Sequence, residues 1–343
     1  MSTQSLYFVG LDVHKKTISY CAKNSSGDIL QEGTVAARRP ALDAWCEQLP
    51  QPWTGALEAT LFTAWIYDHL HDRAHPLKVA HPARLKAITA AKKKSDRIDA
   101  RTLADLLRCQ LLPEVHMLGR ELRQLREVLR YRNLLVRQTT RIKNKIAGLL
   151  MEHGTEYHRQ RLHGRRYFQE LLTQLDHMPD STRELLKISR QLFDVLCALE
   201  RRLLRGLLQH PTLVQRVECL QSIPAVGTMV SLTWALEIGE VDRFSSLAKA
   251  ISYCGLCSAQ RESAGKSTRG PISKQRNKHL QRMLVEAAKL APRYSPPLRK
   301  LYERERERGD YNRATLAVAR KLVAHLLAVD RRQTPFTVET PAC

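Results

Sequence analysis

The chain has 343 residues, which at roughly 150 per domain suggests about two domains. Lys and Arg outnumber Asp and Glu by 56 to 34, a formal charge of +22, so the expected partner is a polyanion, nucleic acid above all; the basic segments lack the interleaved Trp and Phe of a membrane-surface helix. No apolar run reaches the ~20 residues of a bilayer span, and Met1–Ser5 lacks the basic start and apolar stretch of a signal peptide, so a cytoplasmic location with no membrane partner is expected.

In chain order, Leu6–Asp12 is apolar and fits a strand, Thr17–Lys23 a second and Ile29–Val35 a third. Asn24–Asp28 supplies turn chemistry, so two or three antiparallel strands open the domain. A helix is predicted at Ala41–Gln48, a short strand at Gly55–Glu58, a helix at Ala64–Arg73 and a last strand at Leu77–Ala80. Ala83–Cys109 has helical composition with no Gly or Pro.

From Arg120 to Leu150, Leu122, Leu125, Leu129, Val136, Ile146 and Leu150 fall on a stripe of alternating three- and four-residue steps interrupted by Arg132, Thr139 and Lys143, the pattern of a long amphipathic or coiled-coil helix ended by Gly154. A polar stretch at His158–Arg166 precedes a second long helix, Glu184–Gln209. The pair suggests a projecting antiparallel hairpin or a dimerisation arm.

From Pro211 the chain reads as mostly helical, with a turn at Ser222–Gly227, a Gly/Ser/Lys-rich loop at Arg261–Lys274, helices at Lys278–Leu290 and Arg313–Val329, and a frayed tail from Arg331. The expected fold class is an α/β N-terminal domain over 1–115, a long helical middle over 116–210, a mainly α domain over 211–335 and a tail over 336–343. Eight cysteines are scattered along the chain; Cys254 and Cys257 form the one C-x-x-C, and without a second pair they read as reduced thiols rather than a zinc site.

Four carboxylates stand out. Asp12 ends an apolar run, where an acid is costly to bury unless paired or metal-bound. Glu58 has the same setting at the end of the fourth strand, and Asp96 and Asp99, three apart, share one helix face. Cutting a phosphodiester with two metal ions needs several carboxylates converging on ions about 4 Å apart, and Mg2+ suits an all-oxygen set. Hairpin-first strands, Asp, then Glu, then a helical Asp pair fit the ribonuclease-H-like fold.

The runs Gly10-Leu11-Asp12-Val13-His14, Leu57-Glu58-Ala59-Thr60 and Lys94-Ser95-Asp96-Arg97-Ile98-Asp99-Ala100 resemble the DEDD transposases of bacterial insertion sequences, the family associated with bridge-RNA-guided recombination. The resemblance spans nearly the whole chain. It implies that Asp12, Glu58, Asp96 and Asp99 form the metal-binding tetrad of a RuvC-like domain. It also implies a nucleophilic serine in the Ser-Gly-rich stretch of a C-terminal transposase domain. Ser263, after Glu262, is the best match, but counting back from Arg269-Gly270 lands on Ala264, and Ser267 is the second candidate. A serine ester conserves the phosphodiester energy for rejoining. Donor and target DNA, a structured noncoding RNA, and a homo-oligomer (dimer or tetramer) in which tetrad and serine meet across subunits are the implied partners. Ser222–Gly227 resembles the hairpin of a helix–hairpin–helix element.

Arg123, Arg126, Arg130, Arg137, Arg141 and Lys145, with few acids among them, read as phosphate contacts, joined by Lys266, Arg269 and Lys274 of the C-terminal loop. Two other readings remain open from residues alone: a hydrolytic RuvC- or ribonuclease-H-like nuclease using water, and a non-catalytic basic nucleic-acid-binding protein.

Overall fold

The structure is a computed structural model that describes residues 6–88, 95–263 and 266–337, with 260–263 and 266–269 described by their backbone alone. Met1–Ser5, Lys93, Lys94, Ala264, Gly265 and the end of the tail therefore lie outside the described residues. The chain divides into two compact units, one ending at Leu118 and the other beginning at Gly119.

In the first unit, β1 (Tyr7–Val13), β2 (Thr17–Lys23) and β3 (Ile29–Ala36) form an antiparallel meander. The chain then passes through α1 (Arg39–Gln48), β4 (Trp53–Glu58), α2 (Thr63–Leu70), β5 (Leu77–Ala80), α3 (Pro82–Ile88), α4 (Asp96–Arg108) and β6 (Glu114–Val115). Among the described residues the sheet order is β3-β2-β1-β4-β5-β6; β4 and β5 run parallel to β1 and β6 returns antiparallel. This mixed sheet with helices on both faces is consistent with the expected ribonuclease-H-like α/β domain. The expected strands are present, and the two-residue edge strand β6 is an addition too short to leave a periodic signal.

The two-residue period of β1 assigns its side chains to two cores. Val9, Leu11 and Val13 pack with Leu42 and Trp45 of α1 and Ile66 and Leu70 of α2. On the other face Phe8 packs against Leu85, Leu103, Leu106 and Leu107 of α3 and α4. Gly10 and Asp12 share the phase of Phe8. The helix read over 83–109 is interrupted: Ser95 is extended, with φ −152° and ψ 150°, and its Oγ accepts from the Ile98 N–H at 3.3 Å. A serine cap ends continuity that composition alone suggested.

The second unit opens with α5 (Arg120–Glu152), then α6 (Arg165–Leu172) and α7 (Asp180–Leu208), with α5 and α7 packed along each other. The polar stretch at His158–Arg166 contributes Leu162 to a small core, in which Phe168, Leu171 and Leu175 beyond it also cover Ile146 and Leu150 of α5. The chain continues through α8 (Pro211–Gln221), α9 (Thr228–Ile238), α10 (Leu247–Tyr253), β7 (Ser258–Ser263), β8 (Lys266–Ile272), α11 (Lys278–Tyr294), α12 (Pro296–Glu307) and α13 (Tyr311–Arg332). Leu125 and Leu129 of α5 join the main core of this unit with Trp234, Leu236, Leu322 and Leu326. α9 is buried on nearly every side, which hides it from a search for amphipathic periodicity.

The segment read as a loop over Arg261–Lys274 is corrected: β7 and β8 form an antiparallel hairpin in which Ser263 pairs with Lys266 and Glu262 with Ser267. No helix among the described residues is long and apolar enough to cross a membrane.

Candidate catalytic site and nucleic-acid face

The first unit gathers acids where β1 meets the start of α4. Asp12 is the penultimate residue of β1, and its side chain is 13% exposed. β4 lies parallel to β1 with Leu57 opposite Leu11, so the next residues, Glu58 and Asp12, occupy adjacent register positions. The Glu58 carbonyl accepts from the Thr63 hydroxyl at 2.6 Å, which fixes the turn leaving the strand. Asp96 and Asp99 lie in the first turn of α4, where the helix dipole favours negative charge.

Gly10 is what lets α4 come close. A Cβ there would sit 2.5 Å from the Ala104 backbone nitrogen and closer still to the Ala100 carbonyl oxygen. With that contact made, Asp12, His14 and Asp96 converge: His14 Nε2 lies 3.2 Å from Asp12 Oδ2 and 3.3 Å from Asp96 Oδ2. The three offer ligand atoms all within 4.8 Å of one another, the metal-capable group among the described residues. Burial raises the Asp12 carboxyl above the usual carboxylate range; His14 opposes this, while Asp96 and Asp99 add to it. Glu58 and Asp99 stand outside that close trio, although Asp99 is near enough for its charge to be felt at Asp12. Oxygen donors and a crowd of like charges fit a hard divalent cation.

His14 is the member of this cluster that sequence reasoning did not assign. Its signal was present, two residues after Asp12 at a strand end, but a histidine alone carries little weight without a partner in view.

In the second unit, at 100° per residue, Arg123, Arg126, Arg130, Arg137, Arg141 and Lys145 fall within about 100° of arc on α5. That arc lies opposite the buried Leu125, Leu129, Leu135, Ile146, Leu149 and Leu150. Arg137, Arg141 and Lys145 are exposed. Arg126 is half-buried, and burial, with Arg130 beside it, lowers its guanidinium pKa. Arg130 reaches Glu237 through two hydrogen bonds of 2.8 and 2.7 Å. Burial alone would raise the Glu237 carboxyl, but donation from Arg130 and Asn277 overcomes it and holds the group ionised. Asn277 Nδ2 donates to Glu237 at 2.9 Å while its own Oδ1 caps α11.

The hairpin carrying Ser263, Ser267, Lys266 and Arg269 is rooted beside this hub. The Asn277 N–H donates to the Tyr253 carbonyl at 3.0 Å, and the Ser273 N–H to the Cys257 carbonyl at 3.1 Å. Lys274, just past β8, is exposed. Glu237 was missed in the sequence; a lone acid inside Thr-Trp-Ala-Leu-Glu-Ile was the available sign of a buried ion pair. Ser222–Gly227 links α8 to α9, with Ala225 at φ 69° and Gly227 at the N-cap of α9.

Comparisons with known proteins address the family of the chain. Residues 9–154 match a DEDD transposase family of the IS110 type, and residues 217–303 match the transposase family IS116/IS110/IS902. The chain is similar to the transposase for insertion sequence element IS1111A of Coxiella burnetii, 26% identical over 98% of this chain and 92% of that protein. It is also similar to the transposase for insertion sequence element IS1328 of Yersinia enterocolitica, 23% identical over 82% of this chain and 83% of that protein.

Proposed function

Because the chain belongs to the DEDD transposases of the IS110 type, we propose that it cuts and rejoins DNA by serine attack at a metal-assisted site, guided by a structured noncoding RNA. The family makes it an insertion-sequence transposase; the serine, the metal and the RNA are the finer reading. The observation that carries it is the convergence of Asp12 and Asp96, from a strand end and a helix start, at one partly buried acidic cluster.

Asp12, Glu58, Asp96 and Asp99 are the residues that would hold Mg2+. When bound, such ions neutralise charge on the phosphate and favour ionisation of an attacking hydroxyl. The Ser263 Oγ forms a bond to phosphorus as the bond to the leaving sugar oxygen breaks; the serine proton passes to solvent, and the sugar oxygen takes up a proton from solvent to leave as a hydroxyl. The resulting ester is reversed when a second DNA end attacks, so rejoining needs no external energy source. Arg123, Arg126, Arg137, Arg141 and Lys145, with Lys266, Arg269 and Lys274, neutralise backbone phosphates of DNA and RNA. Arg130 acts through Glu237, as the link between α5 and the root of the hairpin. The Ser222–Gly227 turn lies near a DNA phosphate.

A homo-oligomer, dimer or tetramer, is part of the same reading. Leu185, Ile188, Leu192 and Val195 of α7 are exposed at three-four-three spacing, an apolar seam that suits a second copy of the chain.

The test is excision in cells. The gene is supplied with its native flanking noncoding DNA, and the circular junction is amplified from wild type, Asp12→Ala, Ser263→Ala and Ser267→Ala. Wild type and Ser267→Ala are expected to give the junction. A junction from Ser263→Ala moves the nucleophile to Ser267, or to water if both serine variants excise. A junction from Asp12→Ala removes the tetrad reading.

A further inference from the structure

We propose that Glu32 is a positioning residue that fixes the rotation of α4 about its axis, and through it the placement of Asp96 and Asp99; this rests on the tetrad reading above. Glu32 lies on β3, the edge strand of the meander, two strands away from Asp12. Arg101 donates to it twice, Nε to Oε2 at 2.8 Å and Nη2 to Oε1 at 2.9 Å, and Arg97 pairs with the same carboxylate. Glu32 is 17% exposed in this arrangement.

The geometry of α4 makes the contact consequential. At 100° per residue, Arg97 and Arg101 lie within about 40° of each other, while Asp96 and Asp99 lie on the other side of the helix. One flank of α4 therefore carries the candidate metal ligands and the other is held by the β3 carboxylate. Between them the helix backbone rests on Gly10, which supplies no side chain to stop it turning. Lys23 of β2, donating to Asp105 at 2.6 Å, adds a second tie on the Arg97/Arg101 flank, farther along the helix. A turn of about 20° at a side-chain radius of ~5–6 Å displaces a carboxylate by about 2 Å. Metal–ligand distances tolerate only about 0.2 Å, and Mg2+ demands near-ideal octahedral geometry. A bidentate fork restrains rotation better than a point charge does.

Loss of this fork predicts weaker metal binding when Glu32 is neutralised, with the fold retained.

The experiment titrates Mn2+ alone into the full chain by calorimetry, for wild type, Glu32→Gln, Arg101→Lys, Asp12→Ala and Asp43→Asn, each checked for folding by circular dichroism. Asp43→Asn breaks a comparable pair, with Arg73 at 2.6 Å and His69 at 2.9 Å, between α1 and the end of α2. Loss of groups that orient metal ligands typically costs about 10–100-fold in affinity. Glu32→Gln is expected to weaken Mn2+ binding by at least about 10-fold, with Asp43→Asn unchanged. Arg101→Lys, which keeps the charge but loses the fork, should fall between, and it decides the matter if Glu32→Gln does not fold. Equal binding by wild type and both α4-tie variants overturns this inference alone, as does an equal loss in Asp43→Asn. If wild type binds no Mn2+, or binds it as Asp12→Ala does, the metal reading fails and takes this inference with it.

Discussion

Replacing Gly10 with Ala adds a single methyl group where the structure leaves no room for one. The new Cβ would lie 2.5 Å from the Ala104 nitrogen and closer to the Ala100 oxygen. Both are backbone atoms of a helix and cannot rotate away. Ordinary contact distances require α4 to retreat from β1 by roughly 1 Å. Overpacking of this kind costs about 1–3 kcal/mol, which for a unit of this size lowers its melting temperature by roughly 10 °C at the upper end. The functional loss should be larger than the stability loss, because Asp96 and Asp99 ride on the displaced helix and metal ligation tolerates only about 0.2 Å. Calorimetric melting and the excision assay measure the two effects on the same variant. Gly148→Ala in α5 is the control: nothing lies within 4 Å of its added Cβ, so it should stabilise by about 0.5–1 kcal/mol through helix propensity. Wild-type melting and wild-type excision by Gly10→Ala would refute the claim that α4 is seated on β1 through this glycine.

Further outcomes are expected elsewhere in the molecule. Asp330 is 2% exposed and accepts from Arg216 Nε and Nη2, each at 2.7 Å, and from Trp234 Nε1 at 2.8 Å, so Asp330→Ala should cost about 3–5 kcal/mol in urea unfolding; a loss under about 1 kcal/mol would show the pair to be solvated. Joint replacement by Asp330→Leu and Arg216→Met should recover most of that loss, because no uncompensated charge remains. His325 packs edge-on against Phe336 at 4.9 Å, and burial, with Lys321 nearby, holds its pKa at about 4. The unfolded chain, with a histidine pKa near 6.5, then binds the extra proton between these values. Stability should be full above pH ~6.5 and fall by up to about 3 kcal/mol as the pH drops to 4, a dependence that His325→Phe removes from melts taken across that range. Arg137→Gln and Arg141→Gln should each lower the slope of log affinity against log salt by about 1, equally for all sequences bound; an unchanged slope would take that face of α5 out of the phosphate contact.

Much of this protein was legible one residue at a time. The opening strands followed from an apolar run and the turn chemistry of Asn24–Asp28, and α5 from its leucine spacing, because both are local signals along the chain. Two of the four conspicuous acids, Asp12 and Asp96, meet in the structure; Asp12 stood out as a carboxylate in an apolar strand and Asp96 by its three-residue spacing from Asp99. What the sequence could not decide is which charges are spent on one another. Arg130 and Arg137 look alike in a list and both are exposed, yet Arg130 is bonded to buried Glu237. The same limit concealed the Glu32–Arg101 fork, whose partners are 69 positions apart, and the bridging place of His14 between Asp12 and Asp96. Local pattern sets the period of each element and the composition of its faces. The pairing of distant groups depends on the distances and rotations at which those elements pack, and here a missing side chain at Gly10 helped to set them.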